Sequence, residues 1–169
     1  SLMCSGVFNW DFDYDNRKEF IQGIKDCMIA YNSILPEFER IPIELVLVQA
    51  LHESGSEGHS RFAKEGKNFF GIKAIHGEDH IVSLANASVK VRRFTRGCDS
   101  VIAYTDLLNE SYHYEDFREE RLYQYFVDEI NIEKLIETLS VYAEDKKYIS
   151  KLKDMAYTLR KEGIINENN

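Results

Sequence analysis

The sequence predicts a mainly α-helical domain with one small β-hairpin lobe, on three observations. Apolar residues recur at helical spacing through most of the chain. Strand-type alternation is confined to residues 81–94. Two prolines and nine glycines in 169 residues leave little room for linkers. That length suits one domain over residues 1–169 and is enough to bury a substantial core.

The elements follow in order. Residues 11–16, DFDYDN, form an acidic, aromatic loop, after which Phe20, Ile21, Ile24, Cys27, Met28, Tyr31 and Leu35 mark a helix over 17–35. Asp15 or Asn16 supplies its N-cap, and Pro36 closes it. A second helix has Pro42 in its first turn and an apolar stripe of Ile43, Val46, Leu47, Ala50 and Leu51. Val46, Gln49, Ala50 and Glu53 share one face, and Gly55 and Gly58 end the helix. Residues 60–65 make a short third helix and 66–71 a turn. Ile81, Val82 and Leu84, then Val89, Val91 and Phe94, flank Ala-Asn-Ala-Ser as a hairpin.

Helices resume at 98–108 and at 114–126, where Phe117, Leu122, Tyr125 and Phe126 are the residues to bury. A compact helix over 132–139 is capped by Asn131, and a last one runs over 145–160 before Gly163. The tail INENN is expected to fray.

Charge and cysteine content narrow the function classes. A net charge of −8 argues against nucleic-acid binding and gives no reason to dock on anionic membranes. No apolar run approaches the roughly 20 residues of a membrane helix, so no stable membrane insertion is expected. No signal peptide is visible in the first ten residues, but Ser1 and Leu2 ahead of Met3 leave the natural start open. Cys4, Cys27 and Cys98 have neither metal-ligand spacing nor a disulfide framework, and read as three free thiols. His52, Glu53, Glu57 and His59 lack the His-Glu-x-x-His pattern and carry a glycine break, so no metal site is expected.

The stretch IPIELVLVQALHESGSEGHSRFAKEGKNFFGIK, residues 41–73, holds the strongest chemical candidate. Glu53 continues a buried apolar face and ends a helix. Burial and the partial negative charge of a helix C-terminus both disfavour its carboxylate, the latter by about 0.3–1 kcal/mol. A general acid needs a carboxyl that keeps its proton near neutral pH. The same residue also reads as a surface group at a helix end, bonded to Ser54, Ser56 or His59.

These residues resemble the signature of the bacterial glucosaminidase (autolysin) family within the lysozyme-like superfamily. Glu53-Ser54, then Ser60-Arg61-Phe62-Ala63, then Asn68-Phe69-Phe70-Gly71-Ile72-Lys73 follow that family's order. RFTRGCDSVIAYTDLLNESYHYEDFREER and VYAEDKKYISKLKDM are similar to later segments of its Bax-like subgroup, and the likeness covers about 42–159.

The resemblance implies a lysozyme-like helical domain with its hairpin lobe beside a substrate groove, and a peptidoglycan glycan strand as substrate, cut next to N-acetylglucosamine without a cofactor and by a monomer. It implies Glu53 as the acid, Asn68 and Phe70 as supports of the cleft floor, and Tyr142 facing the sugar. It also implies a cell-envelope, periplasmic or secreted location. Phe70 equally reads as core, Asn68 as a turn cap, and Tyr142 as an anchor between helices. Arg92, Arg93 and Arg96 read as an offset to the acidic surface or as partners for stem-peptide carboxylates.

Two departures from the family pattern stand out. Ser56-Glu57-Gly58 replaces the usual Trp after Ser-Gly, and no second carboxylate aligns cleanly, Glu78 and Asp79 being the nearest candidates. A non-catalytic glycan-binding module and a lytic transglycosylase are the alternative functions.

Overall fold

The computed structural model describes residues 8–166. Its first helix, α1 (Arg17–Asn32), begins where Asn16 accepts the Glu19 N–H on its side chain, and it stops a turn before the expected end. The chain then makes a 3-10 turn, Glu37–Glu39, and enters α2 (Ile43–Glu53). Pro42 is the residue just before α2, not one in its first turn.

Helix α2 is the centre of the molecule. Leu45 through Leu51 are all buried, polar Gln49 included, so the helix is enclosed on every side rather than along one stripe. It packs between α1 and α7 (Tyr148–Lys161) and also meets α6 (Ile132–Ile136). Helices α4 (Gly97–Glu110) and α5 (Glu115–Val127) complete the helical body. Phe20, Leu51, Phe70, Tyr104, Phe117 and Leu152 belong to one continuous core.

The sheet is a two-stranded antiparallel hairpin of β1 (His80–Val82) and β2 (Lys90–Arg92), with Ile81 opposite Val91. Both of those side chains are buried, while Leu84, expected to belong to the strand, is 87% exposed in the connecting loop. The short helix α3 (Arg61–Gly66) lies against both strands, capped by Ser60. Gly66 is closed on by Ile81: a Cβ there would meet Ile81 Cδ1 at 2.7 Å. The lobe is thus tied to the chain that follows Glu53.

Three further sequence expectations are corrected. Cys27 and Cys98 are not free thiols but a disulfide joining α1 to α4, a contact across 71 residues that follows from the packing of the two helices. In α5 only Phe117 of the four expected residues is buried. Leu122, Tyr125 and Phe126 are 44%, 46% and 75% exposed, and Arg121 and Gln124 take the inner face instead. The last helix starts at Tyr148, with Asp145 in the turn before it, where it binds the Lys147 N–H. Cys4 and the end of the INENN tail lie outside the described residues.

Candidate active site

Glu53 is the last residue of α2, and the following Ser54 closes the helix with its N–H on Ala50 O. The chain then turns sharply, with Gly55, Ser56 and Gly58 all at positive φ. Ser56 N–H returns to Leu51 O at 2.8 Å and Ser60 N–H to Ser54 O at 3.0 Å. The N-terminal loop braces this turn from outside. The Tyr14 hydroxyl donates to Gly58 O at 2.6 Å, and Tyr14 packs on Phe20 and Phe69. No tryptophan wall stands in this loop; Tyr14, from forty residues upstream, is the aromatic that supports it.

A row of buried donors ends on the Glu53 carboxylate. Tyr104 donates its hydroxyl to Gln49 Oε1, Gln49 Nε2 donates to the Tyr148 hydroxyl at 3.0 Å, and Tyr148 donates to Glu53 Oε1 at 3.0 Å. Gln49 and Tyr104 are completely buried and Tyr148 nearly so, which makes the order of this row a matter of packing rather than of solvent. Gln49 sits one helical turn before Glu53 on the same face, so α2 itself sets the spacing.

Burial pushes the Glu53 carboxyl above its ordinary value, and the Tyr148 hydrogen bond offsets part of that rise by favouring the ionised form. The position at the C-terminus of α2 acts in the same direction as burial. Tyr148 holds its own proton firmly, since burial and the Glu53 charge both raise its pKa. It donates a hydrogen bond without giving the proton up.

The second oxygen of Glu53 faces the loop after α3. A Cβ on Gly71 would lie 3.0 Å from Glu53 Oε2, and Gly71 has φ +66°. Only glycine takes that backbone angle freely while leaving the oxygen its space. Asn68 shapes the loop from within. Its Nδ2 donates to Ile72 O at 2.8 Å and to Arg92 O at 2.9 Å, while its Oδ1 accepts from Phe70 N at 3.2 Å and Ile72 N at 3.1 Å. All four hydrogen-bonding positions of the side-chain amide are used. Asn68 therefore joins the acid-side loop to β2.

Phe70 is completely buried and stacks on Tyr104, with centroids 4.3 Å apart and planes 12° from parallel. Tyr142, in the 3-10 turn Ser140–Tyr142, donates its hydroxyl to Phe70 O at 2.7 Å and lies parallel to Tyr148 at 5.8 Å. Tyr142 is partly exposed.

The candidate carboxylates of the hairpin lobe are engaged locally. Glu78 accepts the Ile75 N–H at 2.8 Å and pairs with Arg92 at 3.0 Å; Asp79 pairs more loosely with Arg93, at 3.6 Å. Arg96 pairs with Asp99, so each arginine of the basic cluster already has an acidic neighbour. Neither Glu78 nor Asp79 is among the groups that shift Glu53.

Glu53, Asn68, Phe70 and Tyr142 thus form one connected cluster, with Glu78 and Asp79 held on the lobe beside it. Sequence reading passed over Tyr148 and Tyr104, whose apolar spacing marked them only as core. Gln49 was visible as a lone amide on a buried helix face, and Gly71 as the closing residue of Asn-x-Phe-Gly.

Known structures share this fold. The catalytic domain of the autolysin Auto from Listeria monocytogenes superposes with a TM-score of 0.59 at 16% identity, over 93% of this chain and 88% of that one. The glycoside hydrolase domain of FlgJ from Salmonella typhimurium gives a TM-score of 0.61 at 22% identity, covering 89% and 92%. At such identities the likeness is one of fold. No curated protein sequence matches significantly. Residues 30–161 match the glucosaminidase family model, described as mannosyl-glycoprotein endo-beta-N-acetylglucosaminidase, and on that match over most of its length the chain belongs to the glucosaminidase family.

Proposed function

We propose that Glu53 is the general acid with which this glucosaminidase-family glycosidase cleaves the glycan strand of peptidoglycan. The observation that carries the assignment is the raised proton affinity of a carboxyl fixed between the Tyr148 hydroxyl and Gly71. Glu53 enters the reaction protonated and delivers that proton to the glycosidic oxygen as the bond to the sugar C1 breaks. Tyr148 then stabilises the carboxylate left behind, through the hydrogen bond it already makes. Positive charge develops on the sugar, and water adds to it to complete hydrolysis.

Either Glu78 or Asp79, approaching across the groove, activates this water, or the substrate's own 2-acetamido oxygen bonds to C1 as the leaving oxygen departs and the water then opens the ring so formed. An inverting base stands roughly 6.5–9.5 Å from the acid, and a retaining nucleophile closer. The ion pairs that hold Glu78 and Asp79 to Arg92 and Arg93 favour the acetamido route, or a transglycosylase that adds no water. Asn68 and Phe70 act as supports of the cleft floor, and Tyr142 offers its exposed edge to the sugar. The chain acts as a single domain and a monomer of the Bax-like subgroup, an assignment supported by the motifs at its C-terminal end.

Work on the wall implies an extracytoplasmic site of action. The Cys27–Cys98 disulfide supports it, because disulfides persist in oxidising compartments. No described helix is long and apolar enough to cross a membrane. The test is digestion of purified peptidoglycan by the wild-type chain and by Glu53→Gln, with mass analysis of the products. Reducing ends carrying an added water identify hydrolysis; anhydro ends identify a transglycosylase.

A further inference from the structure

The Tyr148 hydroxyl has one proton to give, and its direction is decided two side chains away. Gln49 presents Nε2 to that hydroxyl at 3.0 Å, so the Tyr148 oxygen accepts there and its proton is left for Glu53 Oε1, also at 3.0 Å. Tyr104, on α4, keeps the amide this way round, because its hydroxyl donates to Gln49 Oε1. Turned end for end, the amide would offer Oε1 to Tyr148 and draw its proton away from Glu53. It would also leave the Tyr104 proton facing Nε2, another donor. Among the described residues the Tyr104 hydroxyl has no second hydrogen-bond partner to take that proton.

The enclosure makes this ordering strict. Gln49 and Tyr104 are fully buried, and the Tyr104 ring is stacked on Phe70, so a bond lost within the row is not replaced from solvent. The titratable groups around it are Tyr104 on α4, Tyr148 on α7, Tyr114 in the 3-10 turn Tyr112–Tyr114, Tyr142, and His52 on α2 itself. Burial pushes Tyr114 up to about 12 and raises Tyr104, Tyr142 and Tyr148 as well, so all four keep their protons while Glu53 titrates. Burial lowers His52, whose ring meets Tyr148 edge-on. Among the described residues, no charged side chain joins burial and Tyr148 in setting the proton affinity of Glu53. Glu53 Oε2, beside Gly71, accepts no hydrogen bond from a described residue.

We infer that Tyr104 and Gln49 are positioning residues for the acid: they fix the direction of the Tyr148 proton, hold Glu53 Oε1 as an acceptor, and so leave the Glu53 proton on Oε2, beside Gly71. Their part in catalysis rests on Glu53 being the acid; the direction of the row does not.

Two substitutions separate this role from plain packing. Tyr104→Phe keeps the ring and removes the donor that orients the amide. Gln49 can then turn and accept from Tyr148, which opens a second arrangement to the protonated acid alone: Glu53 donates from Oε1 to Tyr148, and Tyr148 donates to Gln49. Gln49→Met removes the competing acceptor, leaving Glu53 as the one partner for the Tyr148 proton. The defect of Tyr104→Phe is therefore relieved by adding Gln49→Met, an outcome that damaged packing does not produce.

The experiment is a pH titration of the Glu53 carboxyl by carbon-13 NMR in the full chain, its signal identified by its absence in Glu53→Gln. Wild type, Tyr104→Phe, Gln49→Met and the double variant are compared, and the pH–activity profile of each is recorded on peptidoglycan. The Glu53 pKa is expected to rise by about one unit in Tyr104→Phe, the size of one charge-assisted hydrogen bond, and to return toward the wild-type value in the double variant. The alkaline limb of activity should follow it. An unmoved pKa in Tyr104→Phe, or an equal rise in the double variant, overturns the inference. A pKa that follows the expected pattern while the activity limb stays fixed upholds the row and overturns the reading of Glu53 as the acid.

Discussion

The proposed chemistry rests on how tightly one carboxyl keeps its proton. Glu53 is governed by two opposed effects, burial that raises its pKa and the Tyr148 hydroxyl that lowers it. Tyr148→Phe removes the second effect alone. The pKa of Glu53 then rises further, and the alkaline limb of the pH–activity profile moves to higher pH; an unmoved limb would separate Tyr148 from the acid. The same variant leaves Gln49 Nε2 buried without its acceptor, a cost of about 1–3 kcal/mol in denaturant unfolding. Linkage fixes the sign of the Glu53 contribution to stability. Above the ordinary carboxyl value of 4.5 the unfolded chain has lost this proton while the folded chain retains it. Stability from this group therefore falls as pH rises from that value through the folded pKa. Glu53→Gln should flatten this part of the stability–pH curve and be no less stable than wild type at neutral pH. Gly71→Ala puts a methyl against Oε2 at an unfavourable φ and should reduce activity along with roughly 1–2 kcal/mol of stability.

At the level of elements, the helices were legible because their period is a local property of the chain. Asn16 and Asn131 cap helices at the expected places, Ser60 caps the third helix rather than lying within it, and the hairpin pairs the expected strands. The rotation of a helix about its axis was less legible. In α5 the inner face is Phe117, Arg121 and Gln124, because the two polar side chains satisfy backbone groups of neighbouring segments: Glu39 O for Arg121, and both Asn131 N and O for Gln124. Hydrophobicity alone points instead to Leu122 and Phe126. The site divided in the same way. Glu53 was readable from its place at a helix end, whereas Tyr148 is brought to it from 95 residues away, by the packing of α7 on α2. The 68–72 loop joins both lobes through one amide, so Asn68→Ala should cost roughly 2–5 kcal/mol and lower activity in step with stability. Loss of activity with unchanged denaturation would assign Asn68 to substrate contact instead.

Over the whole molecule, α2 joins the two parts of the account: Glu53 at its C-terminus and the core around its middle. The disulfide holds α1 to α4 on one side of that helix, with both cysteines 1% exposed. Three cysteines without motif spacing gave no sign of this pairing, because only the folded packing brings Cys27 and Cys98 together. Replacing both by serine should lower unfolding free energy by about 2–4 kcal/mol, and reductant should weaken the wild-type chain but not the variant. Equal stability of the two chains under oxidising conditions would show that the bridge does not form. The most direct measurement of the central claim remains the digestion of purified peptidoglycan by wild type and Glu53→Gln at matched, verified folding. Glycan fragments released by the wild type and none by the variant are the predicted result; a variant that releases them at the wild-type rate would remove Glu53 from the chemistry.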